Sequence, residues 1–472
     1  MWRSFLDSRG LQAGNLENRY WLSRDYGMKC RLRPSQNIAS LALCVSVACF
    51  QCIGSASKLA ASDRVAVSDS KNNRVLIFDM PLRTNESASV VLGQADFFHG
   101  SPNRGGGPAA NTLNSPGGLA KDSFGYLYVV DLGNCRILQF RPPFTNGMNA
   151  SLVIQDPGFA STSCNIESTD FRSQAKGLIV PVSVTVDGSG NLFVVDAISS
   201  RVFKYAPPFT RPKPVLGQGN AADVYANDCE FPHEDTTART LCHPAGTAFD
   251  SEGNLWVADS SDNRVLRFAP PFSPGKAAGL ELGQPAESAF TSNSARTRQC
   301  GQDSTPDDPN PPEDKQLCPS GAESPSNESL NHPSSLAFDV NGNLWVADSF
   351  NGRILKFAPP FTNGMAALTV IGKEDFRHQS SGAQHRHVSA NTLFNGTDLA
   401  FDSSGNLLVV DHLQHRILVF NPPFENGMPA TTVLGSADFN DTNFTRGGQY
   451  IPERQRRIAA NLFDEPLALV VF

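Results

Sequence analysis

Apolar and polar positions alternate in short blocks along most of the chain. Six times an apolar run ends in an aspartate, a turn of four residues follows, and an arginine opens the next apolar run. The pairs are Asp69/Arg74, Asp131/Arg136, Asp196/Arg201, Asp259/Arg264, Asp348/Arg353 and Asp411/Arg416. Successive aspartates lie 62, 65, 63, 89 and 63 residues apart, the differences between those numbers. A fixed motif at a near-fixed period marks stacked or radially arranged units.

The fourth copy, His243 to Gly283, shows the content of one unit. Its apolar runs are Thr247–Phe249, Leu255–Ala258, Val265–Phe268 and Gly279–Leu282, and Gly, Asn, Asp and Pro punctuate the gaps. β-Branched and aromatic residues in runs this short predict strands joined by tight turns, and nothing is long enough for a helix. Four antiparallel strands repeated about an axis make a propeller blade.

The two ends of the chain complete the count. The first copy begins at its second strand, Arg64–Val67, followed by Val75–Phe78, so its first strand is missing. The last residues, Asp464–Phe472, repeat the pattern of His332–Val340 and stop where the other copies turn into a second strand. A C-terminal strand completing the N-terminal blade removes the open edges of the ring. The fold expected is all-β, a six-bladed β-propeller over residues 63–472.

These units resemble the NHL repeat family, over roughly Arg64 to Phe472. The likeness is strongest in NLWVADSSDNRVLRF (Asn254–Phe268), NLWVADSFNGRILKF (Asn343–Phe357) and NLLVVDHLQHRILVF (Asn406–Phe420). It is weaker in the third copy, where Ala197–Ser200 replaces the Asn-containing turn. The related YWTD propellers share the aspartate, but no Tyr-Trp-Thr-Asp run occurs.

Six equivalent copies of Asp and Arg answer a need of every blade, whereas a site usually needs unlike residues converging once. The aspartate is expected to accept backbone N–H bonds at its turn, and the arginine to pair with it or with a neighbouring carboxylate. The recurrent Pro-Pro-Phe (Pro142–Phe144, Pro207–Phe209, Pro270–Phe272, Pro359–Phe361, Pro422–Phe424) is also read as structural, with the phenylalanine between blades.

Residues 1–62 lie outside the ring. Ile38–Ile53 is apolar, Lys29, Arg31 and Arg33 precede it, and small residues follow in Gly54–Ser62. This is the pattern of a secretory signal, cleaved near Ala56–Ala61. An uncleaved membrane anchor is the alternative, although a span usually takes about twenty apolar residues. Met28 makes a better initiator than Met1, and Cys49 and Cys52 lack a clean lipoprotein context. The expected location is secreted, extracellular or periplasmic, with membrane contact only if the signal stays uncleaved. Six Asn-x-Ser/Thr matches, such as Asn149–Ser151 and Asn395–Thr397, become glycan acceptors only in a eukaryotic secretory host.

Export gives the ring cysteines a meaning. Topology puts the second-to-third-strand turns and the blade links on one face, with Cys135 in such a turn and Cys164 in such a link. Cys229/Cys242 and Cys300/Cys318 each share one link. Three disulfides are expected, Cys135–Cys164, Cys229–Cys242 and Cys300–Cys318; no Cys-x-x-Cys spacing suggests metal.

The links are long: Gln94–Ser115, Gln155–Val180, Gln218–His243, Gln284–His332, Lys373–Asn395 and Ser436–Glu465. Variation on one face of a rigid scaffold is where binding usually resides. Shared pieces, such as Ala95–Phe97, Glu374–Phe376 and Ala437–Phe439, mark part of each link as packing. The longest link carries Thr305–Gln316, proline-rich and acidic, read as a surface loop or a partner-binding arm.

The formal charge of −7 and a pI near 5.7 argue against nucleic acid as a partner. The short basic run Glu453–Arg457 is read as a solvated loop. Neither a phosphate loop nor Gly-x-Ser-x-Gly occurs. The resemblance implies a second possibility, since such propellers include lyases and lactone hydrolases with divalent metals in the central channel. His243, His332, Asp398, His412 and His415 are the channel-mouth candidates, beside Asp464 and Glu465. His243 and His332 precede prolines and are read as strand-leading residues, while His412 and His415 are read as exposed turn residues. Two functions follow: a binding scaffold for a protein, glycan or small ligand, with no cofactor, or a metal-dependent lyase or hydrolase.

Overall fold

The computed structural model describes residues 63–154, 178, 180–209, 212–217, 236–286, 289–290, 325–377, 388–440, 445–446, 449–450 and 457–472. The chain divides into two units, Met1–Ala61 and Ser62–Phe472, and all described residues belong to the second. The apolar segment Ile38–Ile53, the acidic Thr305–Gln316 and Cys164, Cys229, Cys300 and Cys318 lie outside the described residues.

Six four-stranded antiparallel sheets form the blades. Blade 2 runs Pro116–Lys121, Leu127–Asp131, Arg136–Phe140 and Leu152–Ile154. Blade 3 runs Pro181–Val186, Leu192–Asp196, Arg201–Tyr205 and Pro212–Gly217. Blade 4 has Thr247–Phe249, Leu255–Asp259, Arg264–Phe268 and Leu280–Leu282. Blade 5 has Pro333–Phe338, Leu344–Asp348, Arg353–Phe357 and Thr369–Ile371. Blade 6 has Gly396–Phe401, Leu407–Asp411, Arg416–Phe420 and Thr432–Leu434.

Blade 1 is the composite one. Its order is Pro466–Val471, Arg64–Asp69, Arg74–Asp79, Val90–Leu92, so the C-terminal strand is the innermost. Val65 pairs with Val471, Ala66 with Val470 and Val67 with Leu469. Each inner strand contacts the inner strands of both neighbouring blades, which closes the ring.

The core is not central but lies in six seams. Each apolar cluster joins two consecutive blades; one unites Ala66 and Val75 of blade 1 with Leu127 and Val129 of blade 2. Another unites Val65 and Val67 with Leu408 and Val410 of blade 6. Alternate residues of one strand therefore enter opposite seams, which is why these strands read as unbroken apolar runs.

The Pro-Pro-Phe loops fasten blade to blade. Phe361 of blade 5 meets Trp256 of blade 4 edge-on at 4.9 Å, and Phe424 of blade 6 meets Trp345 of blade 5 at 4.8 Å. The asparagine two residues on caps the outer strand of the preceding blade: Asn146 Oδ1 accepts from Val91 N at 3.0 Å, Asn363 Oδ1 from Glu281 N and Asn426 Oδ1 from Val370 N, both at 2.9 Å. Gly364, with φ of +65°, turns beside Ala286, whose backbone N lies 2.5 Å from where a Cβ would stand. The near-identity of these loops reflects this shared duty.

Candidate functional site

The aspartate of each motif is buried and accepts the backbone N–H just ahead of its own blade's inner strand. Its Oδ1 takes the amides of Asp464, Asn114, Val180, Cys242, Asn331 and Phe394 in blades 1 to 6, at 2.6 to 3.3 Å. Its Oδ2 pairs with the arginine Nε at 2.7 to 2.9 Å in blades 1, 2, 4, 5 and 6. Burial pushes the carboxyls of Asp69 and Asp131 up, and the adjacent guanidinium and hydrogen bonds pull back.

In blades 1, 2, 4, 5 and 6 the rest of the guanidinium grips the links. Nη2 of Arg136 donates to the carbonyls of Ala109 and Thr112 at 2.9 and 3.1 Å, and Nη2 of Arg74 to Ala459 and Leu462 at 2.9 and 2.8 Å. Nη1 reaches the link that leaves the blade: Arg74 to Phe97 O at 2.6 Å, Arg353 to Phe376 O, and Arg416 to Phe439 O at 2.9 Å. The link between blades 1 and 2 is thus held at Phe97 by one arginine and at Ala109 and Thr112 by the next. The shared link pieces seen in the sequence are these grip points.

Blade 4 departs from the rule. Its outer strand places Glu281 where blades 1, 5 and 6 place Val91, Val370 and Val433, and Arg264 Nη1 turns to Glu281 Oε1 at 3.2 Å. Glu281 Oε2 then accepts the N–H of Phe290, so a carboxylate replaces a carbonyl in holding the start of the longest link. Asp262 joins the same guanidinium at 3.2 Å. Burial, followed by repulsion from Asp262, holds Asp259 well above the usual carboxylate range, and burial raises Glu281.

The mouth on this face is edged by the residues leading into the inner strands. Ser115, His243, His332 and Glu465 share a left-handed backbone, with φ of 48°, 42°, 49° and 52°. Each donates its N–H to the residue just before the arginine of the preceding blade. The acceptors are Asn73 Oδ1 at 2.8 Å, Ser200 Oγ at 3.4 Å, Asn263 Oδ1 at 3.0 Å and His415 Nδ1 at 2.9 Å, respectively. His243 and His332 are strand-leading residues, as expected.

The expectation that His412 and His415 are exposed is corrected. His415 is 1 % exposed, because the position before the arginine points back to receive the next blade; its Nδ1 also lies 3.1 Å from Asp464 Oδ1. His412 is half-buried, with Nδ1 3.0 Å from the carbonyl of Pro466, and burial lowers its pKa. Asn73 and Asn263 at the equivalent position were the available signal. His243 Nδ1 lies 3.2 Å from Ser261 Oγ and His332 Nδ1 2.9 Å from Asn331 Oδ1. His332 stacks on Phe350 at 4.1 Å, and burial lowers its pKa. Asp398 lies in the channel wall, apart from this rim. Among the described residues no group of three His, Cys, Asp or Glu side chains is placed to hold a metal ion.

The inner strands enclose a channel cavity of about 450 Å³. Neighbouring strands are stitched across it: Thr185 Oγ1 to Thr247 O at 3.0 Å, Ser334 Oγ to Thr397 O at 2.8 Å, Thr397 Oγ1 to Leu467 O at 3.1 Å. Asp398 joins three blades, accepting from Ser335 Oγ of blade 5 and from the N–H of Leu469 in the closing strand at 2.8 Å.

The NHL repeat profile matches residues 241–268 and 330–357, which run from the end of a link to the third strand of blades 4 and 5. The ring is a six-bladed propeller whose fourth and fifth blades carry NHL repeats. Comparison with curated proteins found no match. Among solved structures, a virginiamycin B lyase from Staphylococcus aureus is 11 % identical, with 66 % of this chain and 68 % of that one covered and a TM-score of 0.34. A streptogramin B lyase is 10 % identical over 70 % of each chain, with a TM-score of 0.35. A protein of unknown function from Bacteroides caccae is 8 % identical, over 87 % of this chain and 99 % of that one, with a TM-score of 0.43. Likeness at this level says nothing of what the ring does.

Burial pushes Asp398 up to about 6, from 3.8 in a free chain. The folded state therefore holds this proton more tightly than the unfolded state. The contribution to stability is complete below the unfolded pKa and is lost as pH rises through the folded one. Between about pH 4 and pH 6.5, wild type should lose up to about 3 kcal/mol relative to Asp398→Asn; contact with the channel makes that an upper value. Urea unfolding across the pH range checks this, and a constant difference between the two proteins would contradict it.

Proposed function

We propose that the protein is an exported binding scaffold that engages a protein, glycan or small ligand through the face carrying the blade links. The observation behind this reading is the double grip of the arginines. Each of Arg74, Arg353 and Arg416 holds the carbonyls that end one link and begin the next, so the residues between grip points vary without disturbing a blade. The loops of the opposite face are occupied in blade-to-blade contacts, as Asn146, Asn363 and Asn426 illustrate.

Two residues on the link-side turns support an apolar contribution: Ile198 is 39 % exposed and Phe350 47 % exposed. Ile198→Asp and Phe350→Asp should each weaken capture on glycan and peptide arrays at least tenfold, about 1.4 kcal/mol. Phe124→Asp and Val340→Asp, on the opposite turns, should leave it unchanged. Binding that follows the second pair, or no binding to any array, would sink the proposal.

Export is supported by the Ile38–Ile53 segment, and disulfides persist in oxidising compartments. The pairing proposed is Cys135–Cys164, Cys229–Cys242 and Cys300–Cys318. Peptide mapping without reduction should recover these three linkages, and Cys242→Ser should cost about 2–4 kcal/mol in stability. Free Cys135 or Cys242 thiols in the exported protein would refute the pairing.

A further inference from the structure

In a ring of near-copies, the blade that differs stands out. Three residues beyond the strand-leading position, blades 1 to 5 place Ala468, Gly118, Ser183, Gly246 and Ser335, all small. Blade 6 places Asp398 there. One residue further on, five blades place leucine or valine, and blade 4 places Thr247. Both departures lie in the wall of the same channel cavity.

Neither departure is explained by packing alone. The small residues allow inner strands to touch: a Cβ on Gly246 would lie 2.4 Å from Ser334 O, and one on Gly118 2.7 Å from Ser183 Cα. Ser183 and Ser335 show that an uncharged side chain is accommodated at the same position. Asp398 instead brings a carboxylate into the wall, and among the described residues no Lys, Arg or His pairs with it. An enclosed carboxylate without a counter-charge is costly. Three donors offset part of that cost, namely Ser335 Oγ–H, Leu399 N–H at 2.9 Å and Leu469 N–H at 2.8 Å. A carboxylate has about four acceptor sites, which leaves one for a guest. Thr247 adds a buried hydroxyl with no hydrogen-bond partner among the described residues.

We propose that the channel binds a small organic ammonium ion, with an N–H on the Asp398 carboxylate and its hydrocarbon part against Leu336, Leu399 and Leu469. The volume of about 450 Å³ is within the usual range for small-molecule sites. A bare divalent cation is a poorer match, because calcium takes six to eight oxygen ligands and magnesium a near-ideal octahedron. An ammonium ion needs one carboxylate and a few carbonyl or hydroxyl oxygens, and its carbon chain suits an aliphatic wall. This site is separate from the link face, and either reading can fail without the other.

The test uses the full ring and three probes: benzylamine, benzyl alcohol as an uncharged analogue of similar shape, and calcium chloride. Benzylamine should raise the melting temperature with dose and give saturation-transfer signals at neutral pH, with benzyl alcohol binding at least tenfold more weakly. Asp398→Ser, which installs the residue of blades 3 and 5, should abolish the preference for the amine, and Asp398→Asn is the second variant should the first not fold. Equal binding of amine and alcohol, binding of neither, stabilisation by calcium alone, or a preference that survives in a folded Asp398 variant would each overturn the proposal. The wild-type comparison of amine with alcohol remains decisive if both variants misfold.

Discussion

A chain that stops after Asp464 will not give a cooperatively melting ring. The truncation removes the inner strand of blade 1, whose residues pair with Val65–Asp69. It removes Phe472, whose N–H and carbonyl both bond Arg64, at 2.8 and 2.6 Å. Ala468 leaves the core shared with blade 2 and Leu469 the core shared with blade 6. Each buried leucine or valine contributes on the order of 1.5–3 kcal/mol, and the strand carries several, against a typical total stability of about 5–15 kcal/mol. The exposed edge of Arg64–Asp69 would also invite pairing between molecules. Size-exclusion chromatography should show aggregate, and circular dichroism a broad transition or none. A monomer melting within a few degrees of the full chain would show that the closing strand is dispensable.

Arg353→Ala should be the most damaging single substitution among those considered. Arg353 is fully buried, its Nε on Asp348 at 2.7 Å, its Nη2 on the carbonyls of Ser326 and Ser329 at 2.9 Å each, and its Nη1 on that of Phe376. Alanine leaves Asp348 buried without its counter-charge and three carbonyls without a donor. Breaking a buried pair by removing one partner costs about 3–5 kcal/mol, and each orphaned acceptor adds to it. Arg353→Lys should rescue little, because one ammonium cannot reach four acceptors spread around a planar fork. Urea unfolding measures the loss, and limited proteolysis should reveal new cleavage near Ser326 and Phe376. A loss below about 1 kcal/mol would mean that the grip is incidental, as surface ion pairs often are.

The mutual pairing of Asp and Arg was legible in the sequence because both lie at the ends of one tight turn. What the arginine does with its other nitrogens was not. Its partners are backbone carbonyls of Ala109, Thr112, Phe97 or Ser326, and a carbonyl looks the same whatever residue carries it. Only the recurrence of Ala95–Phe97, Glu374–Phe376 and Ala437–Phe439 hinted that these stretches were anchored. His415 was misplaced on the surface for a related reason. Its neighbours His412 and Leu413 lie half-buried on a short 3-10 turn, whereas the residue before the arginine points fully inward, as Asn73 and Asn263 do. Asp398 was visible as a carboxylate near the mouth. Its bonds to Ser335 and Leu469, 63 and 71 residues away in sequence, required knowing that blades 5, 6 and 1 meet there.

The sequence alone determined how many blades there are, where their strands begin and end, and how the chain closes on itself. Those features depend on local chemistry: short apolar runs, turns set by Asp, Asn, Gly and Pro, and a period that repeats them. The tertiary structure alone decided that the arginines hold the links, that His243 and His332 edge the mouth, and that Asp398 lies in the channel wall. Each of these joins groups brought together only when the ring closes, through backbone atoms or lone departures from the repeat, and no local pattern encodes either.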